Sequence, residues 1–450
     1  MADKKRSSFG SRFGTIAVLA GSAVGLGNIW KFPYMAGENG GAAFILIYLI
    51  VSLLIAVPVL LAEYALGRRG QSNIFGAFRN LAPKQKGWHA VGLTGVVTAF
   101  LILSFYAVIA GWSLYFLWES VTGSYMGMSA QQIGAKFDTF VEGGWGPAIW
   151  ALIFLVMTGG VLLLGVNKGI ERCSKMMMPM LVVMLVALAV GACFMDGWRE
   201  GMRFLLRPDW SKVTTSTVIA ALGQAFFSLS LGMGAMATYG SYIDKKENLY
   251  GVASTVAVAD TAVALLAGLA IFPVVFTYGI SPTAGPELVF ITLPSLFAQM
   301  PGGAVVAAVF FLLLFFAAIT SAFSMMEVVV AYLSEEFGMS RTKAMWLSLG
   351  GLLVLAMLCV ASQLPDSVLT IGGKNLLDFL DTFTSNVLLP LSGLSIVIFM
   401  AWVLGRKALA DELTTGGRYA RRLVGPTIFL LRYVVPLMMV VLILNLLGVL

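Results

Sequence analysis

Residues 21–28, GSAVGLGN, and residues 228–234, SLSLGMG, each place a Gly-x-Gly in the middle of an apolar run long enough to cross a bilayer. A glycine in a helix interior costs about 1 kcal/mol relative to alanine, and a main-chain carbonyl freed in lipid costs several more unless something satisfies it. Interrupted backbone at that depth therefore needs protein or a cavity beside it. Glycines in membrane helices also serve simply to let neighbours pack, so one such pair decides nothing. Two pairs, each in the first helix of a five-helix half, point to an inverted-repeat secondary transporter with its site at the midplane.

The rest of the chain agrees with that frame. Of 450 residues, 59% are hydrophobic and 11% charged, and the mean hydropathy is +0.90, whereas a soluble domain carries about 25% charged residues. A soluble enzyme is excluded. Apolar runs fall at about 13–36, 42–67, 89–119, 147–166, 170–195, 214–241, 249–279, 304–333, 344–361, 376–404 and 426–449, each near the length that a crossing requires. A shorter stretch at 287–300, among Pro286, Pro294 and Pro301, is expected as an external re-entrant or surface helix. With the N-terminus inside, 21 of the 29 Lys and Arg lie in cytoplasmic segments, which gives an N-in, C-out orientation. The four basic residues between Arg199 and Lys212 fall outside, in a loop long enough to translocate regardless of charge. The N-terminus shows no small-residue cleavage site and is read as a retained cytoplasmic end.

The expectation is an all-α polytopic membrane protein of eleven transmembrane helices. It divides into a cytoplasmic segment (1–12), a first repeat of spans one to five (13–195), a second, inverted repeat of spans six to ten (214–404) and an extra C-terminal span (426–449). The net charge of +7 follows the loops, so its expected partner is the bilayer and not nucleic acid. Cys173, Cys193, Cys359 and the single histidine, His89, cannot build a zinc, haem or iron–sulfur site or a disulfide framework. No catalytic residue is expected.

Interrupted helices expose amide groups at one end, which attract a carboxylate, and carbonyls at the other, which attract a cation. Asn28 and Ser228, at the two breaks, add neutral oxygens suited to a hard monovalent cation that must also leave. Ionisable residues inside the spans are few: Lys31, Glu63, Asp260, Glu327, Asp378 and Asp381. Each is a functional candidate because it costs about 2.5–3.5 kcal/mol at a helix centre. Lys31, Glu63 and Asp378 lie nearer span ends, where a solvated or snorkelling charge is an equal reading. Asp260 lies deep in span seven and needs either a bound cation or its own proton. Thr320 and Ser321, adjacent in span eight, read by themselves as hydroxyls bonded to their own helix.

The run GSAVGLGNIWKFPYMAGENGGAAF (21–44), followed by AEYALGR (62–68), resembles the opening two spans of the neurotransmitter:sodium symporter family. GQAFFSLSLGMGAMATYGSY (223–242) and FFAAITSAFSMMEVVVAYLSEEF (315–337) are similar to its spans six and eight. The resemblance covers essentially the whole chain and implies a leucine-transporter-type fold, as in the bacterial eleven-span members. It further implies a sodium-coupled symporter of hydrophobic, aliphatic or aromatic, L-amino acids in a bacterial cytoplasmic membrane, working by alternating access.

Carried over residue by residue, the resemblance implies two sodium sites. The first takes the Ala23 carbonyl, Asn28, Ser228 and Asp260; the second takes the carbonyls of Gly21, Val24 and Ala317 with the hydroxyls of Thr320 and Ser321. Substrate contacts fall to Ala23, Gly25, Gly27, Ile102, Tyr106, Phe227, Ser230, Met233, Ser321 and Met325, with Tyr106 on the carboxylate. Relatives that take biogenic amines carry an aspartate at the Gly25 position, so glycine there implies a substrate that brings its own carboxylate. An outer gate would pair Lys31 with Asp381 above Tyr106 and Phe227; an inner gate would pair Arg6 with Glu335, helped by Phe9 and Tyr242. Glu327 stands where relatives often have Gln and receives no role. Gly169 and Pro179 resemble a segment of span five that unwinds in inward-facing relatives. Ala264 stands where chloride-dependent relatives carry Ser, so chloride is not expected to be required, although Tyr48, Gln224 and Ser228 match other chloride-site positions. Three rivals remain at this stage: a proton-coupled amino acid carrier of similar fold, a passive channel, and an intramembrane protease built on Asp378 and Asp381.

Overall fold

The computed structural model describes residues 8–279 and 288–446. Among these, nine helices are long and apolar enough to cross a membrane: Ala42–Gly70, Lys86–Thr122, Trp145–Leu163, Val166–Ala192, Leu249–Thr277, Gly303–Glu336, Arg341–Ala361, Leu376–Val403 and Arg421–Leu446. Arg12–Ala23 and Gly27–Glu38 meet at 52° and make a tenth crossing if taken as one span. The apolar run at 214–241 folds as Thr215–Ser228 and Ala235–Gly240, each too short to span alone.

Two long helices carry the frame. Lys86–Thr122 has 37 residues, about 55 Å at 1.5 Å per residue, well beyond the hydrocarbon thickness. It stops at Gly123, whose φ of 68° lets its N–H cap the Glu119 and Ser120 carbonyls. Gly303–Glu336 packs along it more extensively than any other pair of elements, and their shared face is fully buried from Ala317 to Glu327. One half of each broken span, Arg12–Ala23 and Ala235–Gly240, packs on Gly303–Glu336.

Outside the spans lie Ala130–Glu142, started by a Ser129/Gln132 capping box, the helix Trp198–Leu206, and a minimal antiparallel ladder, Thr370–Ile371 with Lys374–Asn375. The stretch expected as an external re-entrant or surface helix is helical over Leu288–Phe297 and is packed inward, not laid on the surface. Leu293 to Phe297 are all buried. Phe290 sits edge-on to Trp112 at 5.6 Å and parallel to Phe137 at 5.9 Å. Aromatic side chains at both ends of the segment pull it into the bundle, a gain that Pro punctuation alone does not reveal.

Candidate functional site

Span one breaks at Val24, Gly25 and Leu26. Val24 leaves the helix with ψ 106° while its N–H still reaches the Ala20 carbonyl at 2.7 Å, and helix resumes at Gly27 as a wide turn running into Phe32–Glu38. The glycines are there for closeness. A Cβ on Gly25 would lie 2.6 Å from the Ser321 hydroxyl, and one on Gly27 would lie 2.8 Å from the Phe227 ring.

The second break runs from Leu229 to Gly234. Gly232 and Gly234 adopt φ of 82° and 76°, which favour glycine, and Ser230 is held at φ 53°. Ser230 donates its hydroxyl to the Ser22 carbonyl at 2.8 Å, joining the two breaks. Glu63 from span two receives the Gly232 N–H at 2.7 Å. Glu63 is wholly buried, so the reading of a solvated charge near a span end is corrected: the carboxylate fills the hydrogen-bonding gap that the missing helical turn leaves.

Asp260, Asn28, Ser228 and Tyr48 converge between these breaks, none of them more than 2% exposed. The Asn28 amide donates to Asp260 Oδ1 at 2.7 Å and to Ser228 Oγ at 3.0 Å. The Ser228 hydroxyl lies 2.8 and 2.9 Å from the two Asp260 oxygens, and the Tyr48 hydroxyl donates to Oδ2 at 3.1 Å. All these donors are neutral; among the described residues no Lys or Arg pairs with Asp260. A buried carboxylate so placed is suited to a cation.

A second oxygen cluster lies around Ser321. Its hydroxyl reaches the carbonyls of Gly21, Ser22 and Val24 at 3.4, 3.2 and 3.3 Å. Thr320 bonds its own helix, at 2.8 Å to Phe316 and 3.2 Å to Ala317, while its Cβ fills the space beside Gly21. The clusters flank a small cavity of about 20 Å³, room for one water. All ten residues expected to touch substrate line it, joined by Leu26 and Ser228. Leu26 N–H points to the Tyr106 hydroxyl at 3.4 Å.

The outer pair is not closed. Lys31 and Asp381 line one cavity of about 280 Å³, but no ion pair joins them among the described residues. Lys31 Nζ lies 4.5 Å above the Phe227 ring, and Asp381 accepts from Ser385 at 3.2 Å. On the opposite side, Arg6 lies outside the described residues. Glu335 accepts from Ser72 and from the main chain and side chain of Asn73 at 2.8–2.9 Å. Phe9 N–H bonds the Tyr242 carbonyl at 3.1 Å, and its ring packs edge-on to Tyr239 and Tyr242. Asp378 bonds Asn375 at a helix start, away from the cavity between the breaks.

The family model described as "Sodium:neurotransmitter symporter family" matches residues 6–133 and 144–449. The chain belongs to this family. Its members are transporters, not enzymes, and sodium-dependent. Over 452 residues, all of both chains, this symporter is 39% identical to the uncharacterized sodium-dependent transporter YhdH of Bacillus subtilis strain 168. It is 35% identical to an uncharacterized sodium-dependent transporter of Haemophilus influenzae, over 92% of this chain and 93% of that one. Its fold matches the crystal structure of MhsT in complex with L-phenylalanine, with a TM-score of 0.91 and 42% identity over 98% of this chain and all of the other. It is a multi-span protein of the plasma membrane.

Four contacts of the symporter are not foreshadowed by its sequence. Glu327, given no role there, takes the Tyr242 hydroxyl at 2.7 Å and forms a two-point ion pair with Arg341 of the next span, one arm at 3.0 Å. Glu171 accepts the Gly10 N–H at 2.8 Å and Asn167 donates to the Ser8 carbonyl at 2.9 Å, tying the N-terminal segment to span five. There a Cβ on Gly169 would strike the Val161 carbonyl. A fully buried acid in an apolar run is the signal that marks Glu327 and Glu63; its partner is invisible until the spans are packed.

Proposed function

We propose that this symporter couples the inward movement of hydrophobic L-amino acids to two sodium ions, one in each oxygen cluster. The supporting observation is Asp260, fully buried and surrounded only by neutral donors, two of which, Asn28 and Ser228, stand beside the two breaks. A sodium ion there supplies the missing charge, and a zwitterion placed against it adds its carboxylate, steadied by the Tyr106 hydroxyl. Coupling is then the sharing of one ion between protein and substrate.

Specificity follows from the lining. Ile102, Phe227, Met233 and Met325 are apolar, and methionine adapts to several shapes; a charged side chain would be stranded among them. Gly25 leaves no acid to hold a lone amine. Binding must widen the cavity, since about 20 Å³ has room for little more than one water, and Phe227 and the two methionines are the flexible walls. Chloride is not needed in this reading, because the Tyr48 and Ser228 hydroxyls are already committed to the Asp260 carboxylate. The chain crosses the membrane eleven times with its N-terminus inside, 13–195 and 214–404 forming the inverted halves.

The test is uptake of radiolabelled Leu, Trp and Tyr into proteoliposomes under an inward sodium gradient. Accumulation above equilibrium that is lost in choline is expected. Equal uptake in choline overturns the reading, accumulation that follows the pH gradient alone selects the proton-coupled carrier, and equilibration without accumulation selects a channel.

A further inference from the structure

Arg68, at the end of span two, is 1% exposed and ties three segments together. Its guanidinium pairs with the Glu412 side chain, bonds the Glu412 carbonyl, and donates to the Glu247 carbonyl at 2.8 Å. The knot joins span two, the loop before Leu249–Thr277, and the helix Arg406–Leu413. Beside it lies a cavity of about 560 Å³ rimmed by Arg69, Lys245, Lys246, Arg418 and Asp411.

The charges do not balance. Arg68 answers Glu412, and Arg69 stands 3.4 Å from Asp411. That leaves Lys245, Lys246 and Arg418, all exposed and without an ion pair among the described residues. The nearby Asp244 does not line the cavity and accepts the Lys246 N–H at 2.7 Å. Three unmatched cations around a wide polar cavity suit a phosphate group. Directly after Arg418 the chain enters Arg421–Leu446, whose first turns expose Leu423 and Phe429, each more than half accessible. Exposed apolar side chains therefore follow the charged cavity within the first turns of span eleven, beyond the exposed Arg421 and Arg422.

We propose that this cavity binds the phosphate headgroup of an anionic phospholipid, its acyl chains lying along the start of span eleven. Basic pockets between spans on the cytoplasmic side are suited to such headgroups. The inference rests on the inward orientation proposed above for its leaflet, and on nothing about substrate or ions. A lipid seated there links the loop between spans six and seven, through Lys245 and Lys246, to the loop between spans ten and eleven, through Arg418. It would thus reinforce the joint that Arg68 already makes.

The test uses the full chain in detergent, with phosphatidylglycerol or phosphatidylcholine of matched acyl chains added and retention read by native mass spectrometry. The comparison variant is Lys245→Ala/Lys246→Ala/Arg418→Ala; because all three side chains are exposed, it should fold, as an unchanged melting temperature will verify. Phosphatidylglycerol should be retained about tenfold or more over phosphatidylcholine, and the preference should fall by a similar factor in the variant, given what each basic residue contributes near an anionic headgroup. Equal retention of the two lipids, or an unaltered variant, overturns the proposal. So does calorimetry in which inorganic phosphate binds the delipidated protein through these three residues as tightly as the lipid, which would assign the cavity to a soluble anion. Retention is read without transport, so this result stands apart from the sodium uptake experiment.

Discussion

Around Asp260 the oxygens and donors belong to side chains: a carboxylate, an amide and two hydroxyls. Around Ser321 they belong mostly to the main chain, three carbonyls of the first break facing one hydroxyl. The first cluster holds a cation by charge and the second by geometry. A charge buried without a partner is costly whatever its surroundings, whereas three carbonyls converge only while the Gly21–Val24 backbone keeps its present course. Damage to the first should therefore abolish function, and damage to the second should weaken it.

Substitution at Asp260 has the largest expected effect. Asp260→Ala should lower sodium-driven uptake about 100-fold or more, because loss of a buried charged ligand is worth several kcal/mol; uptake near normal would mean that charge does not hold the first ion. Gly25→Ala comes next, since its methyl meets the Ser321 hydroxyl at 2.6 Å and the Tyr106 hydroxyl at 3.4 Å. It crowds the second cluster and the Tyr106 hydroxyl together and should reduce the maximal rate and substrate affinity about tenfold or more, roughly 1.4 kcal/mol. A variant with wild-type kinetics would show that the Ser321 and Tyr106 hydroxyls can move aside freely.

Ser321→Ala removes a single neutral oxygen and should raise the sodium concentration for half-maximal uptake about fivefold to tenfold, in line with one hydrogen-bond-strength ligand. An effect as large as that of Asp260→Ala would erase the distinction between charge and geometry. Glu327→Gln tests a pair that bonds to neither cluster. It leaves Arg341 without its acid, and because Arg341 is 31% exposed the loss should be about 2 kcal/mol, below the range for a fully buried pair. A fall in melting temperature with sodium affinity unchanged is expected; altered sodium affinity would join this pair to the ion sites. Replacing chloride with gluconate should change nothing, and loss of uptake would show that the Asp260 carboxylate does not serve as the fixed anion.

The same contrast divides what was legible beforehand from what was not. Asp260 stands out in the sequence as a carboxylate deep in an apolar run, and the ten expected substrate contacts share one cavity because their motifs are long and contiguous. Ser230, by contrast, is committed to the Ser22 carbonyl, and Lys31 lies over Phe227 and does not reach Asp381. Neither choice could be read from residue type, since each depends on which neighbour the turn presents. Glu63 was visible as an acid yet ambiguous as to depth, and 287–300 was visible as a helix whose depth, re-entrant or on the surface, stayed open.

By itself the sequence determined that this is an α-helical membrane protein with two interrupted helices, because apolar length and paired glycines act locally and register along a single chain. Only the tertiary structure decided which groups answer the exposed main chain and the buried acids: Glu63 at Gly232, Ser321 at the three carbonyls, Arg341 at Glu327. Those partners lie between about 14 and 300 residues apart, and at such separations it is the packing of whole helices, not any local preference, that brings donor and acceptor within hydrogen-bonding distance.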